Sequence, residues 1–108
     1  MSDAKNKDLV AELKVSVHHL LGDKGSVMLF GSRARGDNRE DSDWDLLVLL
    51  ERKGHADWED YNNIGYPINE FFWQRNQDVN TIIQTRDEWQ DKCFTPFYKN
   101  VMQDAVAL

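Results

Sequence analysis

Two aspartates separated by one residue, Asp43 and Asp45, open the apolar run Leu46 to Leu50. On a β-strand, residues two apart point to the same face and lie roughly 6.6 Å apart along the chain. Carboxylates held side by side repel each other unless a cation lies between them, and hard oxygen ligands of this kind suit Mg²⁺ or Mn²⁺. Mg²⁺ usually takes one or two protein carboxylates and leaves its other positions to water and substrate phosphates. Upstream, the apolar run Val27 to Phe30 ends abruptly at Gly31-Ser32. Glycine lets the backbone turn sharply and lets a ligand approach closely. Ser32 to Arg35 is then placed to open a short helix, whose free N–H groups and positive dipole end favour a phosphate. A phosphate cradle beside a divalent-cation site is the equipment of phosphoryl or nucleotidyl transfer.

The loop between these two halves carries Arg33, Arg35 and Arg39 against Asp37, Glu40 and Asp41. A charge-mixed loop is usually just solvated, but beside a phosphate site arginine is the residue best suited to bidentate contact. Arg33 and Arg35 are both candidates, with Arg35 favoured.

Gly31-Ser32, ten intervening residues and Asp43-x-Asp45 resemble the signature of the polymerase β-type nucleotidyltransferase superfamily. The loop Gly31-Ser32-Arg33-Ala34-Arg35-Gly36 fits the G-S-x-A-x-G pattern of that group throughout. Within it, the chain looks like the minimal nucleotidyltransferases, small domains of about this length. The resemblance implies Mg²⁺-dependent (or Mn²⁺-dependent) transfer of NMP from an NTP, with ATP the favoured donor, to a hydroxyl acceptor. Asp43 and Asp45 would hold the metal, and Gly31, Ser32 and Arg35 or Arg33 the β and γ phosphates. Domains of this kind resemble antitoxins whose partner is a helical HEPN-domain ribonuclease, and there the acceptor is a tyrosine of the toxin. A small-molecule acceptor, as in antibiotic-modifying relatives, and a degenerate partner-binding domain without turnover remain alternatives.

The family also uses a third carboxylate, on a later strand, between two apolar residues. The matching place is Val79-Asn80-Thr81, with an amide where the acid would be. An amide coordinates weakly and cannot accept a proton as a general base. Asp78 is the nearest substitute and shares the face of Asn80 by strand alternation, although a solvated turn acid at the strand's edge is an equal reading. Two-carboxylate chemistry, a relocated third acid at Asp78 and a degenerate enzyme therefore all stay open.

These residues need a scaffold. Leu9, Val10, Leu13, Val17, Leu20 and Leu21 form one stripe of an amphipathic helix over residues 7–21, capped at Gly22. His18 and His19 are adjacent, so they point about 100° apart and cannot form an i,i+4 metal pair. Trp58, Tyr61, Ile64, Ile68, Phe71 and Phe72 recur at helical spacing, with Pro67 expected to kink or split the helix. Core packing explains this stripe better than a base-stacking platform. Val79 to Thr85 reads as the third strand. Thr85-Arg86-Asp87-Glu88 is a capping box, and Thr95-Pro96 an N-cap followed by proline. The fold class is thus α/β (α+β), a small mixed sheet of three or more strands with helices on one face, as in the polymerase β-type fold.

The 108 residues suit a single domain, 1–108, with one modest core. No apolar run reaches the length of a membrane span, and MSDAKNKD lacks a signal-peptide core. A single cysteine, Cys93, excludes an internal disulfide and fits a reducing cytoplasm. The net charge of −6 is the reverse of what phosphate neutralisation on a DNA or RNA duplex requires.

Overall fold

The computed structural model describes the backbone of residues 2–108 and the side chains from Lys7 onward. Met1 and the side chains of residues 2–6, part of the stretch read as lacking a leader core, lie outside the described residues. The 20-residue helix α1, Ser2–Leu21, buries Leu13, Val17 and Leu21. These fall at intervals of four, one face of a 3.6-residue period. It stops where expected. Gly22 adopts φ 56°, and its N–H reaches the His18 carbonyl at 2.9 Å.

Four strands follow in the spatial order β3-β2-β1-β4. β1, Gly25–Phe30, pairs antiparallel with β2, Trp44–Leu50, and with β4, Val106–Ala107. β2 pairs in parallel with β3, Val79–Thr85. Between β1 and β2 lies α2, Ser32–Arg35, a single turn closed by Gly36 in the left-handed region.

The connection from β2 to β3 begins with α3, Trp58–Asp60, and ends with α4, Tyr66–Trp73; a π-helical turn, Tyr61–Gly65, joins them. Pro67 explains that turn. Proline offers no N–H and crowds the carbonyl four residues back, so a widened turn absorbs the mismatch. The Tyr66 N–H accordingly bonds the Tyr61 carbonyl, five residues back. Downstream of the break, Ile68 and Phe72 are buried, while Trp58 stays 71 % exposed. The aromatic stripe is core at one end and surface at the other.

After β3 come α5, Arg86–Asp91, and α6, Pro96–Asp104. The mixed sheet and helices agree with the expected fold class, but the layering differs from one-sided packing. Val27, Leu29, Leu46, Val48, Leu50 and Ile83 meet α1 and α4 on one face. Leu47 and Leu49 meet Trp89 of α5 and Val101 of α6 on the other. The cause lies in β2: its residues 46–50 are apolar without alternation, so both faces need cover. β4 is another addition. Two residues carry no propensity signal, and this strand exists through its pairing with Met28 and Leu29.

The Thr85 capping box forms as the sequence predicts. Thr85 Oγ1 accepts from the Glu88 N–H, and Glu88 accepts from the Thr85 N–H. Partial burial pushes the Glu88 carboxyl upward. The N–H groups of Thr85 and Ala56 and the His55 ring outweigh that and hold it at about 2, against a usual 4.5. A depressed carboxyl stabilises the fold above its unfolded pKa and loses that contribution as pH falls through the folded one. Acid titrations should therefore show stability declining from about pH 4.5 toward 2. Glu88→Gln should flatten that segment and, having weakened the cap, cost about 1 kcal/mol at neutral pH.

Candidate active site

β1 delivers its chain to the site at Phe30, whose cross-strand partner is Asp45. The next residue, Gly31, has φ 76°, in the region favouring glycine. A Cβ added there would overlap Asp45 Oδ2. The glycine is thus needed twice, for the turn out of β1 and for the carboxylate packed against its α-carbon.

Asp45 is the second residue of β2, and Asp43 lies one residue before the strand. Asp45 is half-buried and Asp43 exposed. The parallel register sets Asn80 of β3 beside Asp45. Asn80 Nδ2 lies 3.2 Å from Asp45 Oδ1 and 3.4 Å from Asp43 Oδ2. Only the amide nitrogen can face two carboxylates, because its oxygen would add a third partial negative charge. The amide occupies the position where the sequence suggested a third acid, and it touches both aspartates.

Asp78 is not among these contacts. Its carbonyl accepts the Trp44 N–H at 2.9 Å, and its side chain is exposed. Among the described residues no three acids, histidines or cysteines gather into a metal-binding group. The donors that do converge are two carboxylates and one amide, all hard oxygen donors once the amide turns. They fit Mg²⁺ or Mn²⁺ better than a soft metal.

The two loop arginines part company. Arg33 donates through Nη2 to the carbonyls of Glu40 at 2.9 Å and Ser42 at 2.8 Å. Its guanidinium also lies 4.5 Å from the centroid of the Trp44 ring. Trp44 sits between Asp43 and Asp45, so it faces the opposite side of the strand, into the core against Phe72. Burial pulls the Arg33 pKa down, with Asp41 opposing. Arg35 instead lies at the surface, donating through Nη1 to Asp104 at 2.7 Å and through Nε to Asp37 at 3.1 Å. Those two carboxylates, Asp104 first, raise its pKa. Ser32 is half-buried at the head of α2, next to Gly31.

Sequence reasoning missed Asp104 and Gln77. Asp104 comes from the end of α6, 69 residues from Arg35. Gln77 Oε1 accepts from Trp44 Nε1 at 3.1 Å and Arg33 Nη2 at 3.4 Å, fixing the loop from below. No local pattern signals either contact; both depend on the tertiary fold.

Comparison with known proteins is consistent with this geometry. A family model described as polymerase beta, nucleotidyltransferase matches residues 22–96. A provisionally named protein adenylyltransferase of Methanocaldococcus jannaschii is 44 % identical over 45 residues, 41 % of this chain and 46 % of that protein. The match thus spans under half the length of that relative. The crystal structure of a provisionally named nucleotidyltransferase from Sulfolobus solfataricus superimposes with a TM-score of 0.61 at 24 % identity. That alignment covers 98 % of this chain and 81 % of the other, and it bears on the fold alone.

Gly31→Ala tests the contact on which the site closes. The new Cβ must displace the Asp45 carboxylate, and the left-handed backbone costs about 1–2 kcal/mol for an alanine. Denaturant titrations should show that loss, and Mn²⁺ binding followed by paramagnetic relaxation should weaken with it.

Proposed function

Because the chain belongs to the polymerase beta nucleotidyltransferase family, we propose that it transfers NMP, with AMP favoured, from an NTP to a hydroxyl of a partner protein. The observation that carries this reading is the cluster of Asp43, Asp45 and Asn80, with Asp45 against Gly31, inside the family-matched span. A divalent cation held by Asp43 and Asp45 would polarise the phosphoryl oxygens and offset charge as pyrophosphate forms. The acceptor oxygen bonds the α-phosphorus while the bond from that phosphorus to the bridging oxygen breaks. Pyrophosphate leaves with the electron pair, and the hydroxyl proton passes to water or to a base on the acceptor's side.

Ser32 and the Gly31 turn are the proposed contacts for the outer phosphates, with Arg35 joining by exchanging Asp104 and Asp37 for phosphate oxygens. The pair with Asp37 is exposed and worth little net energy, whereas Asp104 is half-buried, so releasing it is the larger cost. Arg33 already serves loop carbonyls and the Trp44 ring, which favours Arg35 for the nucleotide. Asn80 accepts no proton. The acceptor side or bulk water therefore takes it, unless Asp78 moves into reach.

The name of the M. jannaschii relative supports a protein acceptor. We place that acceptor as a tyrosine on a helical HEPN-type partner, as the resemblance to antitoxins implies. A net charge of −6 would steer a basic partner through complementary fields. The reducing, ATP-supplied cytoplasm is the proposed compartment. No helix among the described residues is long and apolar enough to cross a membrane.

Co-expression with the partner, followed by mass spectrometry, should show an added AMP that disappears in Asp43→Asn and Asp45→Asn while both variants still fold. An unmodified partner beside active enzyme and ATP would overturn the protein acceptor. Among phosphate contacts, Ser32→Ala should weaken NTP binding by about 1 kcal/mol, and Arg35→Ala should weaken it more. Arg33→Ala should instead show its main effect as a lower melting temperature.

A further inference from the structure

The amide of Asn80 bridges two carboxylates that would otherwise repel each other across open solvent. A neutral donor is doing there what a cation or a proton would otherwise do. We propose that Asn80 makes this a pincer for a single divalent cation, in which the amide positions Asp43 and Asp45 and counts as a neutral third ligand. The inference rests on the metal-site reading above and deepens it.

Three observations converge. The register pairs Asn80 with Asp45 directly, so the amide is placed by the sheet and not by a mobile loop. Both aspartates lie within 3.4 Å of one nitrogen, so one group controls the separation of the pair. No other acid, histidine or cysteine among the described residues joins them.

The chemistry follows from charge. Two carboxylates carry two negative charges, which one divalent cation balances. A second cation would have to share the same two, already balanced, carboxylates, so it arrives as the counter-ion of a bound triphosphate. Cation affinity in oxygen sites rises with the number of charged ligands. A site with an amide in place of an acid is therefore weak alone and completed by the nucleotide. Rotation of the amide exchanges Nδ2 for Oδ1, turning the group that clamps the empty pair into one that can face a cation. The same residue that holds the aspartates ready thus limits how much metal they take.

Mn²⁺ without nucleotide is the probe, counted by electron paramagnetic resonance and by calorimetry on the full chain. Wild type should bind one ion weakly. Asn80→Asp should bind at least about tenfold more tightly and admit a second ion, while Asn80→Ala should bind several-fold more weakly than wild type. Opposite shifts in the two variants separate positioning from a general loss of structure, and melting curves confirm that both fold. Two ions in wild type, or unchanged affinity in both variants, would overturn the inference. If the double variant Asp43→Asn, Asp45→Asn bound Mn²⁺ as wild type does, the metal-site reading itself would fall. If that variant loses binding while Asn80 variants do not shift it, only the role of Asn80 falls.

Discussion

A strand that is apolar on both faces can carry charge only at its ends. β2 is such a strand: Leu46, Leu47, Val48, Leu49 and Leu50 are all buried, three against α1 and α4 and two against α5 and α6. A carboxylate in its middle would be desolvated without a partner, at several kcal/mol. The acids are therefore confined to the mouth, at Asp43 and Asp45. Everything else in the site is set by that strand's two neighbours. Antiparallel pairing with β1 brings Gly31 against Asp45, and parallel pairing with β3 brings Asn80 alongside. Gly31 and Asn80, 49 positions apart, thus both come to lie beside Asp45.

The two loop arginines are held in different ways. The loop from Gly36 to Asp43 has no regular ladder, so its carbonyls need donors from elsewhere. Arg33 supplies them, and its planar guanidinium can stack on Trp44 while doing so. Trp44 in turn packs on Phe72 of α4, linking the loop's shape to the core on that face of the sheet. Arg35 itself is exposed and pairs with exposed Asp37 and half-buried Asp104, contacts whose strength depends on salt. The residue nearer the glycine holds the loop, and the one beyond it is left where a ligand can compete for it.

Much of this was legible in the sequence, for stated reasons. The periodicity of α1, the run Val79 to Thr85, the Thr85 and Thr95 caps and the break at Pro67 are local signals, and each appears in the structure. The aspartate spacing and the amide in the third position were also visible. What was not visible depends on contacts between distant segments. The two-sided cover of β2 could have been read from its unbroken apolar run, since an alternating strand would have implied one solvent face. β4 and the Arg35–Asp104 pair could not, because neither two residues nor a separation of 69 leaves a local pattern. The split between Arg33 and Arg35 was hidden for the same reason, as it turns on which face of β2 Trp44 occupies.

The openness of the site bears on the acceptor. Asp43 and Asp45 do not lie at the bottom of a closed cavity: one is exposed and the other half-buried. Group transfer gains from excluding water, both because electrostatic contacts strengthen in low dielectric and because hydrolysis is a competing outcome. The described side chains around the acids do not provide that cover. A small-molecule acceptor would leave the same opening unsealed, whereas a protein acceptor brings a surface along with its hydroxyl. It also brings orientation, since docking two surfaces fixes the attacking oxygen relative to the α-phosphorus before reaction. The acidic balance of the chain works in the same direction, opposing polyanionic nucleic acid and favouring a basic protein face. An open two-carboxylate mouth thus leaves room for the macromolecular hydroxyl proposed above.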